Sequence, residues 1–182
     1  MRVLISEKEI ENKIEELAQR INDYLSEIKE RFTKENSNEK EIVFVCVLTG
    51  SIFFFSELVR KLKHDVICDF IKVSSYQGTT STQNVKILKD ISTDICDKIV
   101  FIVEDIVDTG LTLNKIISLF RERNPFDIVV CTLLDKPAKR IVDVKVDFVG
   151  FTIPPEFVVG YGLDYDEKYR NKPFIYCIDK EE

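Results

Sequence analysis

Residues 99–112 read Ile99-Val-Phe-Ile-Val-Glu-Asp-Ile-Val-Asp-Thr-Gly-Leu-Thr112, passing from an apolar strand through two acidic positions to the small-residue entrance of a helix. Ile99 to Val103 is β-branched and aromatic, the composition of a strand buried on both faces of a parallel sheet. Leu111, Leu113, Ile116, Ile117 and Phe120 then recur at helical spacing. The turn between them therefore sits at a strand's carboxyl end, where open α/β sheets gather ligands. From the helix side, the backbone N–H groups of Thr109, Gly110, Leu111 and Thr112 would converge on the same spot. Unpaired donors and the helix dipole stabilise a phosphate there, and Gly110 lets the backbone come close.

Glu104 and Asp105 add two hard oxygen ligands beside that anion site. They suit a magnesium ion that stays mostly hydrated and is shared with the oxygens of a phosphorylated sugar. Asp108, further along the turn, is a candidate proton acceptor or donor. Parts of the stretch admit other readings. Asp108 or Thr109 could simply cap the helix, with the acids solvated. An EF-hand fails because, counting from Asp105, the third position is Val107 and the twelfth Ile116. Asp108-Thr-Gly110 matches the aspartic-protease signature, but that chemistry needs two such carboxylates and only one is present.

The run Val103 to Thr112 resembles the phosphoribosyl pyrophosphate (PRPP) motif of the type I phosphoribosyltransferases. Other segments extend the likeness. Val47-Leu-Thr-Gly-Ser51 ends a strand and opens an apolar helix, like the pyrophosphate loop of the purine-salvage members. Leu133-Leu-Asp-Lys-Pro137, the stretch Asp147 to Tyr165 and Tyr169-Arg170 are similar to the hypoxanthine-guanine phosphoribosyltransferase family. The resemblance runs from about Ile42 to Asp179, and four motifs in the family's order are more specific than any one.

The resemblance implies an α/β fold, a mostly parallel twisted sheet flanked by helices with a small C-terminal hood. It implies Mg2+-dependent transfer of phosphoribose from PRPP to hypoxanthine or guanine, giving IMP or GMP and pyrophosphate. Residue by residue it implies Asp108 as the catalytic acid–base, and a PRPP site of Glu104, Asp105, Asp108, Thr109, Gly110, Leu111 and Thr112. Thr49, Gly50 and Arg170 would bind pyrophosphate. Lys136 would read the 6-oxo group, Phe157 would stack on the base, and Val158 would meet the base edge. Asp164 would help hold a second magnesium through water beside the ion at Glu104 and Asp105. Ser75 and Tyr76 begin a segment, Ser75 to Asn84, that matches the family's lid. Thr49 departs from the lysine or arginine of many relatives, which removes a positive charge from that loop. A xanthine- or guanine-preferring relative and a PRPP-sensing regulator without catalysis are the alternatives.

Composition is compatible with this. At 182 residues and 45% hydrophobic the chain is expected to be one domain with a full core: a first helix and connection over 1–41, the α/β sheet over 42–142, and the hood over 143–182. The 26 basic and 32 acidic residues leave a net charge of −6. That argues against nonspecific nucleic-acid binding, and a polyanionic substrate would need metal or local cations such as Lys136, Lys139, Arg140 and Arg170. The five cysteines show no close metal-ligand spacing and read as reduced core residues of a cytoplasmic protein. His64 is the only histidine, which disfavours zinc or a His-based triad. No apolar run is long enough to span a membrane.

Along the rest of the chain, Ile10, Ile14, Leu17, Ile21, Leu25, Ile28 and Phe32 step by threes and fours, and Ser6 with Glu9 forms a capping box. Strand Ile42 to Leu48 leads to a helix from Ile52 to Leu62. Its Ile52-Phe-Phe-Phe55 run is apolar on every side, as expected of burial on two faces, one against a second subunit of a homodimer or homotetramer. Ser75 to Asn84 contains no aliphatic residue, so by composition it could equally be a plain surface loop. A receiver domain, which also uses acids and a Lys-Pro at strand ends, needs its acids on the first strand, and here they come later. A DNA-binding regulator would need a basic recognition helix, and none is present.

Overall fold

A computed structural model describes residues 2–35, 38–76 and 84–178, apart from the side chains of residues 75, 76 and 84. The chain runs β1 (Arg2–Ile5), α1 (Glu7–Lys34), β2 (Ile42–Leu48), α2 (Ile52–Val59), β3 (Ile67–Tyr76), β4 (Asn84–Lys89) and β5 (Ile99–Val107). It continues through α3 (Leu111–Arg121), β6 (Asp127–Asp135), β7 (Phe148–Thr152), β8 (Val158–Val159) and β9 (Ile175–Cys177). Six strands make one sheet in the order β4-β3-β2-β5-β6-β7. All neighbours are parallel except β4, which returns antiparallel on β3 at the edge. The expected mostly parallel α/β sheet is thus present.

Alternation along the central strands feeds two cores. Phe44, Cys46, Phe101 and Val103 join the apolar stripe of α1 and the inner face of α2. Val43, Val45, Val100 and Ile102 instead meet Leu113, Ile116 and Phe120 of α3. Phe44 and Phe101 stack across neighbouring strands with ring centroids 4.3 Å apart. In α1, Ile14, Leu17, Ile21 and Leu25 are fully buried, each worth about 1.5–3 kcal/mol. The helix opens on the expected capping box: Ser6 N–H donates to Glu9 Oε2 at 2.8 Å, and Glu9 N–H donates to Ser6 Oγ at 3.4 Å.

Several boundaries differ from the expectation. The motif strand continues past Val103 to Val107, because Glu104, Ile106 and Val107 pair with Thr132, Leu134 and Asp135 of β6, so both acids stand on the strand itself. Helix α2 stops at Val59 rather than Leu62. Buried Asn22 of α1 closes its end, donating to Lys61 O at 3.2 Å and accepting from Lys63 N–H at 2.8 Å. Arg2–Ile5, too short to announce itself, forms a second sheet with β9 and β8, while Phe148–Thr152 lies in the main sheet beside β6. The division expected at residue 143 does not coincide with the boundary between the sheets. Among the cysteines, Cys46, Cys131 and Cys177 are buried, but Cys68 and Cys96 are exposed, outside both cores, and no disulfide joins any of them among the described residues.

Candidate active site

The site lies where β2, β5 and β6 end. Gly110, not Asp108 or Thr109, is the N-cap of α3; its φ is +84° and no side chain caps the helix. Of the first-turn N–H groups, that of Leu111 donates to Thr109 Oγ1 at 3.4 Å, and the N-cap itself brings no side chain to the others, donors that suit an anion. The segment after β6 holds the turn from outside. Ile141 N–H and Val142 N–H both donate to Thr109 O, at 2.9 and 3.1 Å, and a methyl on Gly110 would meet Val142 O at 2.5 Å. Arg140 spans the junction, donating to Asp108 O at 2.9 Å through Nη1 and to Asp135 Oδ1 through Nη2.

Glu104 is buried, with Oε2 unpaired among the described residues. Burial, and then the charge of Asp105, push its pKa well above the usual carboxylate range. Asp105 is pushed up to about 6, chiefly by burial, against the bond from Ile106 N–H and the charge of Arg170. Gly50 rests directly on it: a methyl there would sit 1.7 Å from Asp105 Oδ2. On the other side of Gly50, a methyl on Gly162 would lie 1.9 Å from Gly50 O. Arg170 completes this corner, donating to Gly162 O at 2.8 Å and pairing with Asp164 Oδ1 at 2.9 Å and Glu167 Oε2 at 3.0 Å. The loop of Thr49 and Gly50, the acid Asp105, Asp164 and Arg170 thus form one neighbourhood.

A cation fits this donor set. Two adjoining carboxylates with raised pKa values and an orphaned oxygen favour a positive charge. Among the described residues, no three His, Cys, Asp or Glu side chains are grouped as a closed metal cage. An ion here would therefore complete its shell with water and substrate oxygens, which suits magnesium.

The third group flanks Asp108. Its Oδ1 is buried without a hydrogen-bond partner among the described residues, and Oδ2 lies 3.7 Å from Lys139 Nζ. Lys136 is only 3% exposed, and its backbone N–H donates to Val107 O at 3.0 Å. Burial lowers its pKa, opposed by the charge of Asp108. Val158 is buried in β8 and Phe157 is 36% exposed, its ring edge-on to Tyr165 at 5.7 Å. Val158 pairs with Cys177, a neighbour close enough to influence Lys136.

All the expected site residues with described side chains lie in these neighbouring groups. Ser75 and Tyr76 pair with Val85 and Asn84, so the stems of the expected lid do meet, while 77–83 lies outside the described residues. The clamp by Arg140 on Asp108 and Asp135, the close approach of Gly162 to Gly50, and the edge contact of Tyr165 are carried by no sequence motif; the sequence marks Arg140 only as one of several local cations.

The family described as "Phosphoribosyl transferase domain" matches residues 6–166. The hypoxanthine phosphoribosyltransferase of Buchnera aphidicola is 45% identical over 177 residues, 96% of this chain and 94% of that one. The hypoxanthine-guanine phosphoribosyltransferase of Bacillus subtilis is 43% identical over 175 residues, 96% of this chain and 91% of that one. Among solved structures, a hypoxanthine-guanine phosphoribosyltransferase of Bacillus anthracis superposes with a TM-score of 0.85 at 44% identity, covering 98% of this chain and 99% of that one.

Proposed function

The chain belongs to the phosphoribosyltransferase family, and from that premise we propose that it transfers the phosphoribosyl group of PRPP to a 6-oxopurine, hypoxanthine or guanine, releasing pyrophosphate and forming IMP or GMP. The observation that carries this reading is the placement of Asp108, one of whose carboxylate oxygens is buried without a hydrogen-bond partner among the described residues, beside buried Lys136 at the N-terminus of α3.

The open N-terminus of α3 and the backbone of Thr109, Gly110, Leu111 and Thr112 hold the 5-phosphate. Glu104 and Asp105 take the ribose side and would hold one Mg2+, while Asp164 would help hold a second through water. Magnesium there would supply positive charge to neutralise the leaving pyrophosphate. Thr49, Gly50 and Arg170 bind the pyrophosphate itself. Lys136 donates to the 6-oxo group of the base, Phe157 stacks on its ring, and Val158 meets its edge. As the bond from C1 of the ribose to pyrophosphate lengthens, the sugar gains cationic character. Asp108 then accepts the proton from N7 of the purine, and returns it in the reverse reaction. The 75–84 segment acts as a lid that excludes water from the sugar cation. We place the protein in the cytoplasm as a homodimer or homotetramer. Cysteines outside any disulfide among the described residues agree with the first, and the exposed Ile52 and Phe53 support the second. No described helix is long and apolar enough to cross a membrane, and the acidic balance disfavours nucleic acid as a partner.

The test is nucleotide formation from PRPP and Mg2+ with hypoxanthine, guanine, xanthine and adenine in parallel. Conversion of 6-oxopurines but not adenine is expected, and the relative rates rank them. Conversion of none, with PRPP still bound, would replace this reading with that of a sensor.

A further inference from the structure

What fastens the purine side of the pocket is not in the pocket, an inference that rests on the assignment of Phe157 and Val158 to the base. Val158 belongs to β8, a strand two residues long whose sheet partner among the described residues is β9; the other edge of β9 is covered by β1 from the start of the chain. So short a strand holds no fixed position alone. The three segments meet on one rung, since Arg2 is in register with Cys177 and Cys177 with Val158.

The carboxylate of Glu156, which immediately precedes Phe157, ties that rung. Arg2 Nη2 donates to both of its oxygens, at 2.8 and 3.1 Å, and Cys177 Sγ donates to Oε2 at 2.6 Å. On the far side of Phe157, its carbonyl accepts from Ile178 N–H at 3.1 Å. The Arg2–Glu156 pair is open to solvent, and exposed ion pairs contribute little to global stability. Its effect therefore belongs to the local setting of residues 156–158.

We propose that Arg2 and Glu156 are positioning residues of the purine pocket, through which the N-terminal strand sets Phe157 and Val158 against the base. The hydrogen bonds of the two side chains run to each other and to Cys177, and among the described residues none reaches the phosphate turn or the acid pair. Loosening the tie should therefore weaken purine binding while leaving PRPP handling alone.

The experiment compares the full-length protein with Arg2→Glu, Glu156→Arg and the double exchange, varying hypoxanthine at saturating PRPP and PRPP at saturating hypoxanthine, with thermal midpoints alongside. Each single exchange is expected to raise KM for hypoxanthine about 5-fold, with KM for PRPP and kcat within about 2-fold, and the double exchange to recover most of the loss. Where a single exchange does not fold, Glu156→Gln and Arg2→Gln carry the same expectation without reversed charge. An unmoved hypoxanthine KM, equal shifts for both substrates, or a loss that the double exchange fails to recover overturns the tie while wild-type turnover keeps the functional reading. A wild-type protein that converts no purine overturns both.

Discussion

At the scale of the residue, Asp108 is defined by what surrounds it: a buried unpaired oxygen, Lys139 3.7 Å from the other, and the charge of Lys136 nearby. Asparagine keeps the shape and removes the base, so Asp108→Asn should lower kcat by about 10²-fold with a modest change in KM for PRPP. Unchanged kcat in steady-state assays would take Asp108 out of the chemistry. Arg140 acts on the same residue through its backbone, bridging Asp108 O and the Asp135 carboxylate. A lysine has one compact ammonium where the bridge needs a planar fork, so Arg140→Lys should loosen the phosphate turn and raise KM for PRPP about 10-fold. Equal PRPP affinity, measured by calorimetry, would count against the clamp. Asp108 and Lys136 could be read from the sequence because their neighbours in the chain form the motif. Glu156 could not, because its partner Arg2 is 154 positions away and no local pattern records such a contact.

At the scale of the element, strands and helices with a repeating apolar pattern were legible, and those made by a few contacts were not. The stripe of α1 and the β-branched run of β5 announced themselves. β1 is four residues long with two of them exposed, so nothing in its composition separates it from a tail until β9 pairs with it. The extension of β5 to Val107 was hidden because acids are poor strand formers, and pairing with β6 overrode that preference. Asp69 illustrates the same limit. It is a buried acid within β3 whose Oδ2 accepts from Ser92 N–H at 2.8 Å and Thr93 N–H at 2.7 Å, fixing the turn that leads toward β5. Burial raises its pKa, but hydrogen bonds from Thr93, Phe70 and Ser92 outweigh that, and the net shift is downward. A folded pKa below the unfolded one means that the unfolded chain binds more protons near pH 4, so stability rises with pH there. The contribution is complete above the unfolded value, about 4, and is lost as pH falls through the folded one. Asp69→Asn should therefore cost about 1–3 kcal/mol at pH 7 in urea unfolding. The difference from wild type should narrow below about pH 4; a gap of constant size across that range would mean that ionisation plays no part.

At the scale of the whole molecule, the unsettled surface is the start of α2. Phe54 and Phe55 enter the core, but Ile52 and Phe53 of the same run remain 39% and 41% exposed. Two large apolar side chains side by side at the entrance of a helix are what a subunit contact uses, and this helix begins directly after Thr49, Gly50 and Ser51. A contact there would brace the loop that lies on Asp105, which makes assembly and pyrophosphate handling one question. A stable interface needs about 800 Å² from each partner, with a few apolar anchors at its centre carrying most of the energy. Phe53→Asp places a charge on such an anchor without disturbing Phe54 or Phe55. It should shift the protein from a multiple of the chain mass to a single chain in light scattering, with a small fall in thermal midpoint because Phe53 also meets the Tyr161 ring, centroids 6.2 Å apart. If α2 is braced by a second copy, the same variant should raise KM for pyrophosphate in the reverse reaction while hypoxanthine affinity holds. A wild-type protein that already sediments as a single chain would remove the partner, and the loop of Thr49 would then owe its shape to contacts within the chain: Gly162 and Asp105 against Gly50, Ile52 N–H donating to Thr49 O at 3.3 Å and Ser51 Oγ donating to Val47 O at 2.5 Å.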